Sequence, residues 1–172
     1  RQTHKTTYSR QGCAEKIEIA ADGSIKQVPM TSCGLNNGPL KADGSYSACI
    51  ACNLTNGRMP HQGTEPTEGT LPHITNDGEA RYIAEIGAGT LIGYKYFVLD
   101  GVTKLTITYK STEDSVFKVK TAEKGDAVAE IAVKACRAWE EASAELSIEG
   151  DSALFLEYEG TGSAELMELS FS

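Results

Sequence analysis

The sequence of 172 residues lacks both long apolar runs and an excess of basic charge. Its apolar runs end after about six residues, whereas a membrane-spanning helix needs roughly 20. Sixteen basic and 24 acidic side chains give a formal net charge of −8, the opposite of the basic surface that neutralises phosphates. We therefore expect neither a membrane segment nor a nucleic-acid partner.

Motifs for catalysis and metal binding are also scarce. The chain has three histidines and lacks the nucleophile-elbow, zinc-protease, phosphate-loop and dinucleotide motifs. Its five cysteines are an odd number at irregular spacing, which does not fit a disulfide framework. Cys49 and Cys52 form a C-x-x-C pair, but residues 46–54 are predicted to be a strand, which turns them to opposite faces. Buried thiols are the simpler interpretation, with zinc or redox chemistry as the alternative.

What the sequence does contain is alternation of apolar and polar residues with a period of two, which predicts half-buried strands. No window keeps a helical pattern for three turns, and residues 82–172 contain no proline. The last two strands are the clearest, with a turn at 160–162 between them. Two sets of alternating residues are each predicted to share one face: Leu154, Leu156 and Tyr158 in the first strand, and Glu165, Met167, Leu169 and Phe171 in the second. The fold class is therefore all-β.

The first 44 residues form a separate unit in this interpretation. Residues 16–19 and 25–28 flank Ala21-Asp22-Gly23-Ser24, an Asp-Gly turn typical of a β-hairpin. An isolated hairpin is only marginally stable in water, so we expect it to dock onto another part of the protein. The first residue is Arg1 rather than Met, which indicates a piece of a longer chain and leaves the compartment unknown.

Two stretches resemble parts of a known enzyme family. The opening carries Ser9-Arg10-Gln11-Gly12-Cys13-Ala14-Glu15 and the turn Asp22-Gly23-Ser24-Ile25. This opening resembles the last propeller strands of family 43 glycoside hydrolases, the β-xylosidase and α-L-arabinofuranosidase group. The second stretch contains Tyr82-Ile83-Ala84 and Gly93-Tyr94-Lys95-Tyr96-Phe97. It is similar to the start of the β-sandwich that follows the propeller, a sandwich similar to family 6 carbohydrate-binding modules.

The resemblance implies a domain division and a function. Residues 1–44 are expected to be the end of a five-bladed β-propeller, and residues 45–172 an antiparallel β-sandwich of jelly-roll type. The catalytic acids are then expected upstream of Arg1, so this fragment is expected to be non-catalytic. The implied function is an accessory module of a hemicellulose-degrading glycoside hydrolase that binds a plant cell-wall glycan of xylan type weakly. One alternative is a structural brace or interface for the upstream propeller that binds no sugar, and another is an enzyme in its own right.

The sugar site of the resembled modules is altered in this sequence. Family 6 modules commonly hold sugar at the loop end of the sandwich with two aromatic rings and an asparagine. The matching positions are Glu85, Cys136 and Glu165, none of which has the expected residue type. Trp139 matches the second tryptophan of a W-x-x-W pattern. The candidate carbohydrate-binding residues are Glu85, Arg137, Trp139 and Glu165.

Aromatic residues on a sandwich face offer an alternative site. A ring that lies against the apolar face of a sugar is the usual requirement. The candidates are Trp139, Tyr82, Tyr94, Tyr96, Tyr109 and Tyr158, although core packing is the simpler interpretation for most of them. Because Tyr94 and Tyr96 are two residues apart in a predicted strand, we expect them to share one side and line a groove.

Neither a cofactor nor structural calcium is expected. In the resembled modules the calcium site uses acidic residues of the first and last strands, and these positions fall on Cys52 and Met167. A thiol and a thioether are poor ligands for a hard cation that prefers oxygen. We therefore expect no metal ion in the sandwich.

Overall fold

The computed structural model describes residues 2–3, 6–10, 12–57 and 71–172. This part of the chain contains strands, one 3-10 turn at Ala48–Ile50 and no α-helix, so the all-β prediction is confirmed. No helix long and apolar enough to cross a bilayer occurs among these residues. The strands are β1 (Gln2–Thr3), β2 (Thr6–Arg10), β3 (Leu40–Lys41), β4 (Ser45–Ser47), β5 (Asn53–Thr55), β6 (His73–Asn76), β7 (Arg81–Ile86), β8 (Leu91–Val98), β9 (Lys104–Ser111), β10 (Ser115–Lys120), β11 (Ala127–Val133), β12 (Cys136–Glu145), β13 (Asp151–Glu159) and β14 (Ala164–Phe171).

Two six-stranded sheets make up a β-sandwich. The first sheet has the order β11-β10-β13-β8-β3, with β5 also paired to β8. The second sheet has the order β12-β9-β14-β7-β6, with β4 also paired to β14. Within these sheets only β3 and β8 run parallel, and the other described pairs are antiparallel. The predicted antiparallel β-sandwich is confirmed.

The core lies between the two sheets and is filled by the apolar half of each alternating strand. Leu154, Leu156 and Tyr158 of β13 are at most 1% exposed, as their alternation predicts. An aromatic cluster joins the sheets, because Phe97 of β8 lies 4.8 Å between ring centroids from Phe171 of β14. Burial of these large apolar side chains is the main favourable term in the stability of the sandwich.

A β-bulge in β14 changes which of its residues face the core. Leu166 pairs with Tyr109 and Glu168 pairs with Thr108, so Met167 is an extra residue on β14. Such a bulge breaks the alternation of the strand. The buried residues of β14 are Ala164, Leu166, Leu169 and Phe171, whereas Glu165 and Met167 are partly exposed. The prediction that Glu165, Met167, Leu169 and Phe171 share one face is therefore wrong.

A second irregularity separates Tyr94 from Tyr96 in β8. Between the pairs Tyr94 with Leu154 and Phe97 with Ser152, β8 has two residues where β13 has one. Tyr94 is fully buried, and its hydroxyl donates a hydrogen bond to the Ala48 carbonyl at 3.1 Å. Tyr96 is 39% exposed. The predicted groove lined by both rings is therefore wrong, because the extra residue turns the two side chains to different surroundings.

The segment before residue 58 covers the outer edge of β8. β5 pairs with one end of this edge and β3 with the other. Between them, the Ser32 N–H donates to the Lys95 carbonyl at 2.5 Å, and the Lys95 N–H donates to Ser32 Oγ at 3.2 Å. An edge covered in this way cannot pair with another chain. β3 lies in the sandwich although it precedes residue 45, whereas the division of the chain into propeller and sandwich units stays a prediction.

The predicted N-terminal hairpin is reduced to its turn. The Ala20 N–H donates to the Ser24 carbonyl, and Gly23 has a φ of +84° that favours glycine. Beyond the turn, a single bridge joins Ile19 to Ile25. Ile17, Ile19 and Ile25 are each more than half exposed. The predicted pairing of residues 16–19 with 25–28 is therefore wrong beyond this single bridge. Gln11 of the upstream motif lies outside the described residues.

The C-x-x-C pair does not lie in a continuous strand. Cys49 is in the 3-10 turn, and Cys52 follows it just before β5, so the predicted strand over 46–54 is interrupted. Burial raises the pKa of the Cys49 thiol, which disfavours the thiolate needed for metal binding or redox chemistry. Within the described ranges, no three His, Cys, Asp or Glu side chains are placed to hold a metal ion.

Candidate functional site

Two aromatic rings and an ion pair meet on the outer face of the second sheet. We call the four residues Tyr82, Lys110, Trp139 and Glu165 the aromatic patch. The rings of Tyr82 and Trp139 lie 5.2 Å apart between centroids at an angle of 68°. The ammonium of Lys110 lies 4.2 Å from the centroid of the Trp139 ring and 3.3 Å from Glu165 Oε2. A lysine over an indole face is a favourable cation–π contact.

Strand alternation places three of these side chains on the outer face. Their neighbours Ile83, Tyr109 and Leu166 are buried in the core, so the adjacent residues point to the other side of the sheet. Lys110 and Glu165 are direct cross-strand partners. Strand alternation and this pairing therefore place a lysine and a glutamate side by side, and these two residues are the base of the patch.

A bulge in β12 brings Trp139 onto this base. Cys136 pairs with Ser111 and Glu140 with Tyr109, so residues 137–139 lie opposite Lys110 alone. The two extra residues re-aim the side chains at this point of the strand, as bulges commonly do. As a result Trp139 reaches across the sheet and contacts Tyr82, which lies on β7.

Positively and negatively charged side chains lie next to one another in the patch. Glu165 Oε2 is buried and makes no hydrogen bond among the described residues, so the nearby Lys110 charge is its compensation. Burial raises the pKa of Tyr82, and the negative charges of Glu165 and Asp77 add to the shift. Backbone N–H groups of Ala80 and Glu79 lower the pKa of Asp77. The patch therefore offers anionic acceptors and cationic and hydroxyl donors beside its rings.

The geometry of the rings limits what they can hold. A slot for a flat ligand needs two roughly parallel rings, whereas these rings meet edge to face. Lys110 also covers one face of the Trp139 indole. The patch therefore presents a shallow surface with a partly exposed ring and polar groups, which suits a ligand with an apolar face and a hydroxylated rim.

The chain is similar to proteins of known activity and known structure. The chain is 42% identical to a "Xylosidase/arabinosidase" of Thermoclostridium stercorarium over 176 residues, which covers 96% of the chain but only 37% of that relative. No family model matches the chain. A structure of CsCBM6-3 from Clostridium stercorarium in complex with cellobiose has a TM-score of 0.63, at 17% identity over 80% of this chain and 98% of that one. A family 6 carbohydrate-binding module from Clostridium cellulolyticum in complex with xylose also gives 0.63, at 14% identity over 77% of this chain and 98% of that one. The chain has the fold of a family 6 carbohydrate-binding module.

An intact enzyme is similar as well. The glycoside hydrolase family 43 arabinoxylan arabinofuranohydrolase from Bacillus subtilis, solved with cellotetraose, has a TM-score of 0.59 at 17% identity. That match covers 91% of this chain and 33% of the enzyme. The module therefore spans about a third of both longer proteins. Its predicted resemblance to family 43 enzymes with a family 6-like sandwich is confirmed.

The module brings together two of the four predicted site residues. Trp139 and Glu165 meet through Lys110. The side chains of Glu85 and Arg137 are exposed and make no hydrogen bond or ion pair among the described residues. Glu85 lies in an irregular pairing of β7 with β14 and has a φ of +56°. A role for any of the four in binding stays a prediction.

Sequence reasoning missed Lys110 and gave Tyr82 no separate role. The alternation of Leu105, Ile107 and Tyr109 predicts that Lys110 faces outward, which was an available signal. Its partner Trp139 could not be identified in the same way, because the contact depends on the bulge in β12. Nothing in the local sequence of β12 indicates where that bulge lies.

Of the two residues at the expected calcium positions, Cys52 lies just before β5 of the first sheet and Met167 lies in β14 of the second. The Cys52 thiol is 3.4 Å from the Gly93 carbonyl beside β5. Met167 is the extra residue in the bulge of β14. The absence of structural calcium stays a prediction, which rests on the poor affinity of sulfur ligands for this cation.

Replacing Lys110 by methionine is expected to destabilise the module by about 1–2 kcal/mol, because Glu165 Oε2 then stays buried without a cation. Urea denaturation measures this loss. The double variant Lys110→Met with Glu165→Gln removes the unpaired charge and is expected to recover most of the stability. Equal stability of the single variant and the unaltered protein would show that the pair contributes nothing.

Proposed function

We propose that this chain is a non-catalytic glycan-binding module of a hemicellulose-degrading glycoside hydrolase, and that the aromatic patch binds xylan-type or arabinoxylan-type chains weakly. The observation that carries the proposal is the contact of Tyr82, Trp139, Lys110 and Glu165 on one face of a fold shared with carbohydrate-binding modules. Solved neighbours of this fold hold cellobiose and xylose.

The patch supplies the two kinds of contact that a sugar ring needs. The partly exposed indole of Trp139 faces the C–H groups of a pyranose or furanose. The carboxylates of Glu165 and Asp77 accept hydrogen bonds from hydroxyls, and the Lys110 ammonium donates them. Arg137, which lies in the same bulge of β12 as Trp139, is an exposed charged residue that would extend these polar contacts, and Glu85 is a further exposed candidate.

The same geometry makes the binding weak. The two rings meet edge to face, and Lys110 occupies one face of the Trp139 ring. An aromatic contact contributes on the order of 1 kcal/mol, whereas a dissociation constant of 1 mM corresponds to about 4 kcal/mol. The polar contacts must supply the rest against their own desolvation. We expect millimolar affinity for short oligosaccharides.

We also propose that catalysis belongs to the remaining length of the parent protein. The relative named xylosidase/arabinosidase extends well beyond the 37% that this chain matches, which leaves room for a catalytic domain. Xylosides and arabinosides are the substrates that we propose for the parent. Turnover of an aryl xyloside or arabinoside by the purified fragment, abolished by a substitution within the fragment, would contradict this assignment.

Replacing Trp139 by alanine is expected to weaken glycan binding about tenfold, because the stacking ring is lost. Trp139 is the only tryptophan, so its fluorescence reports ligand at the patch in the unaltered protein. Affinity electrophoresis in soluble arabinoxylan and NMR titration with xylohexaose then compare the variants. Val128→Ala, an exposed change in the first sheet, serves as the control and is expected to bind normally.

These measurements distinguish glycan binding from a purely structural role as a brace. Unchanged affinity in Trp139→Ala would remove the patch from the binding surface. No binding by the unaltered protein at millimolar sugar would favour the structural brace instead. A reduced affinity in Arg137→Ala would add that residue to the site, and an unchanged one would remove it.

A specific observation supports the brace as a second candidate. The segment that Ser32 fixes to β8 exposes five large apolar side chains: Ile17, Ile19, Ile25, Met30 and Leu35. Exposed apolar residues concentrated in one segment commonly mark a contact with another domain. The family 43 enzyme matches 91% of this chain, more than the isolated modules do. Ile19→Asp is expected to lower the melting temperature of the full-length parent but not of this fragment, and equal effects would contradict the brace.

A further inference from the structure

A cavity lies away from the aromatic patch, where the N-terminal segment meets the edge of the first sheet. It has a volume of about 380 Å³, within the range of small-molecule sites. Tyr96 of β8 forms one side, and the segments around Lys16, Val28, Pro29, Asn37 and Pro39 form the others. We call this cavity the Tyr96 pocket. It uses no residue of the aromatic patch.

The walls of the Tyr96 pocket are held in place by hydrogen bonds of the N-terminal segment. Both oxygens of the Glu15 carboxylate accept from Thr31, whose N–H donates at 2.5 Å and whose hydroxyl donates at 3.0 and 3.1 Å. The Asn36 amide donates to the Cys33 carbonyl at 2.8 Å. The Cys33 thiol in turn accepts from the Tyr96 N–H at 3.4 Å. The pocket is therefore a shaped part of the fold.

Its lining combines a partly exposed ring with unused polar groups. Tyr96 is 39% exposed, and its hydroxyl makes no hydrogen bond to any residue in the described ranges. The Lys16 ammonium donates to Asn37 Oδ1 at 2.9 Å. That bond leaves two ammonium protons and the Asn37 Nδ2 group available for a ligand. Val28, Pro29 and Pro39 supply apolar surface beside them.

This combination fits a sugar unit better than a wholly apolar ligand. A pyranose or furanose has an apolar face for the tyrosine ring and hydroxyls for an amide and an ammonium. The Glu15 carboxylate that also lines the pocket has both oxygens bound to Thr31. The Lys16 ammonium donates to an amide and not to a carboxylate. A sugar hydroxyl can accept hydrogen bonds from its remaining N–H groups.

We propose that the Tyr96 pocket is a second glycan-binding subsite, which takes one or two neutral sugar units of the same chains. The proposal rests on the proposed function in its choice of ligand, although the two sites lie in different sheets and have no residue in common. Tyr96 stacks on the sugar, and Asn37 and Lys16 donate to its hydroxyls. The N-terminal segment therefore belongs to the binding surface of the module.

NMR titration of the isotope-labelled protein with xylohexaose tests the subsite directly, because it locates each binding event. We expect shift changes at Tyr96, Asn37 and Lys16 that saturate separately from those at Trp139. Tyr96→Ala is expected to weaken the first set about tenfold and to leave the second unchanged. Tyr96→Phe keeps the ring and is expected to lose less, and Trp139→Ala is expected to leave the pocket signals in place. Asn37→Ala changes no aromatic contact and provides a second variant if Tyr96→Ala folds poorly.

The possible results separate this inference from the proposed function. Changes at Trp139 alone would overturn the subsite and support the patch. Changes at Tyr96 alone would support the subsite and overturn the patch. Absence of changes at both places with millimolar xylohexaose would overturn both. Shift changes at the other pocket residues that saturate with unchanged affinity in both Tyr96→Ala and Asn37→Ala would also overturn the subsite, since neither side chain would then contribute.

Discussion

Phe97→Ala is expected to destabilise the module by about 3–5 kcal/mol, the usual cost of truncating a buried phenylalanine. Phe97 is fully buried. Its ring lies 5.2 Å from that of Tyr46 and 4.8 Å from that of Phe171, between centroids. Because Phe171 and Tyr46 come from the second sheet and Phe97 from the first, the truncation opens a cavity where the two sheets are held together. Urea denaturation gives the loss of unfolding free energy.

The neighbouring residue supplies the matched control for this change. Tyr96 precedes Phe97 in the same strand but is 39% exposed, so Tyr96→Ala is expected to cost less than about 1 kcal/mol. The comparison separates burial from any general effect of removing a ring from β8. A loss below about 1.5 kcal/mol in Phe97→Ala would mean that the core collapses around the truncation instead of leaving a cavity.

Gly93→Ala is expected to cost about 1–3 kcal/mol through overpacking. A Cβ atom at this position would lie 2.7 Å from Phe155 Cε1 and 2.9 Å from Asn53 Cβ. Phe155 is only 2% exposed, and Lys95 lies over its ring at 5.4 Å from the centroid. Neither neighbour can therefore move without disturbing β5 or the covered edge of β8. Thermal and urea denaturation measure the effect.

A second glycine gives the control for this substitution. Gly87 has no heavy atom within 4 Å of an added Cβ and does not have a positive φ. Gly87→Ala is thus expected to stay within about 0.5 kcal/mol of the unaltered protein. Adding Phe155→Leu to Gly93→Ala makes room for the methyl group and is expected to recover part of the loss. Equal stabilities of Gly93→Ala and Gly87→Ala would refute the close approach of β8 to Phe155.

The fold explains why residues on its outer faces can change while the module persists. The core is made by inward residues of both sheets, such as Leu105, Ile107 and Leu156, none of which touches the outer face. The aromatic patch is made by outward residues of the second sheet. Substitution on the outside therefore leaves the packing between the sheets intact, and binding can weaken without loss of the fold.

The outer face of the first sheet carries ion pairs between neighbouring strands. Lys118 pairs with Glu159 and Lys120 with Glu157 across β10 and β13. The hydrogen bond that Lys118 donates to Glu159 raises the pKa of Lys118, so this ammonium stays charged over the physiological range. Such cross-strand pairs make a solvated face. The proposed binding surfaces lie instead on the second sheet and at the outer edge of β8.

The sequence alone predicted the fold class and the inward set of its regular strands. Alternation in β9 and β13 predicts which residues are buried, because a strand turns successive side chains to opposite faces. The motifs around Asp22 and Tyr82 indicated the enzyme family and its sandwich, which the comparisons confirm. These features depend on residues close together in the chain, so the local sequence is sufficient to predict them.

The tertiary structure alone decided the irregular positions and the sites built on them. The extra residue in β14 turned Met167 off the core face, the one in β8 separated Tyr94 from Tyr96, and the bulge in β12 brought Trp139 over Lys110. A bulge is set by the register of two strands that are distant in sequence, and one added residue reverses every later side chain. For that physical reason the sequence determined the sandwich and its core, and only the pairing of distant strands determined which rings and charges meet on its surface.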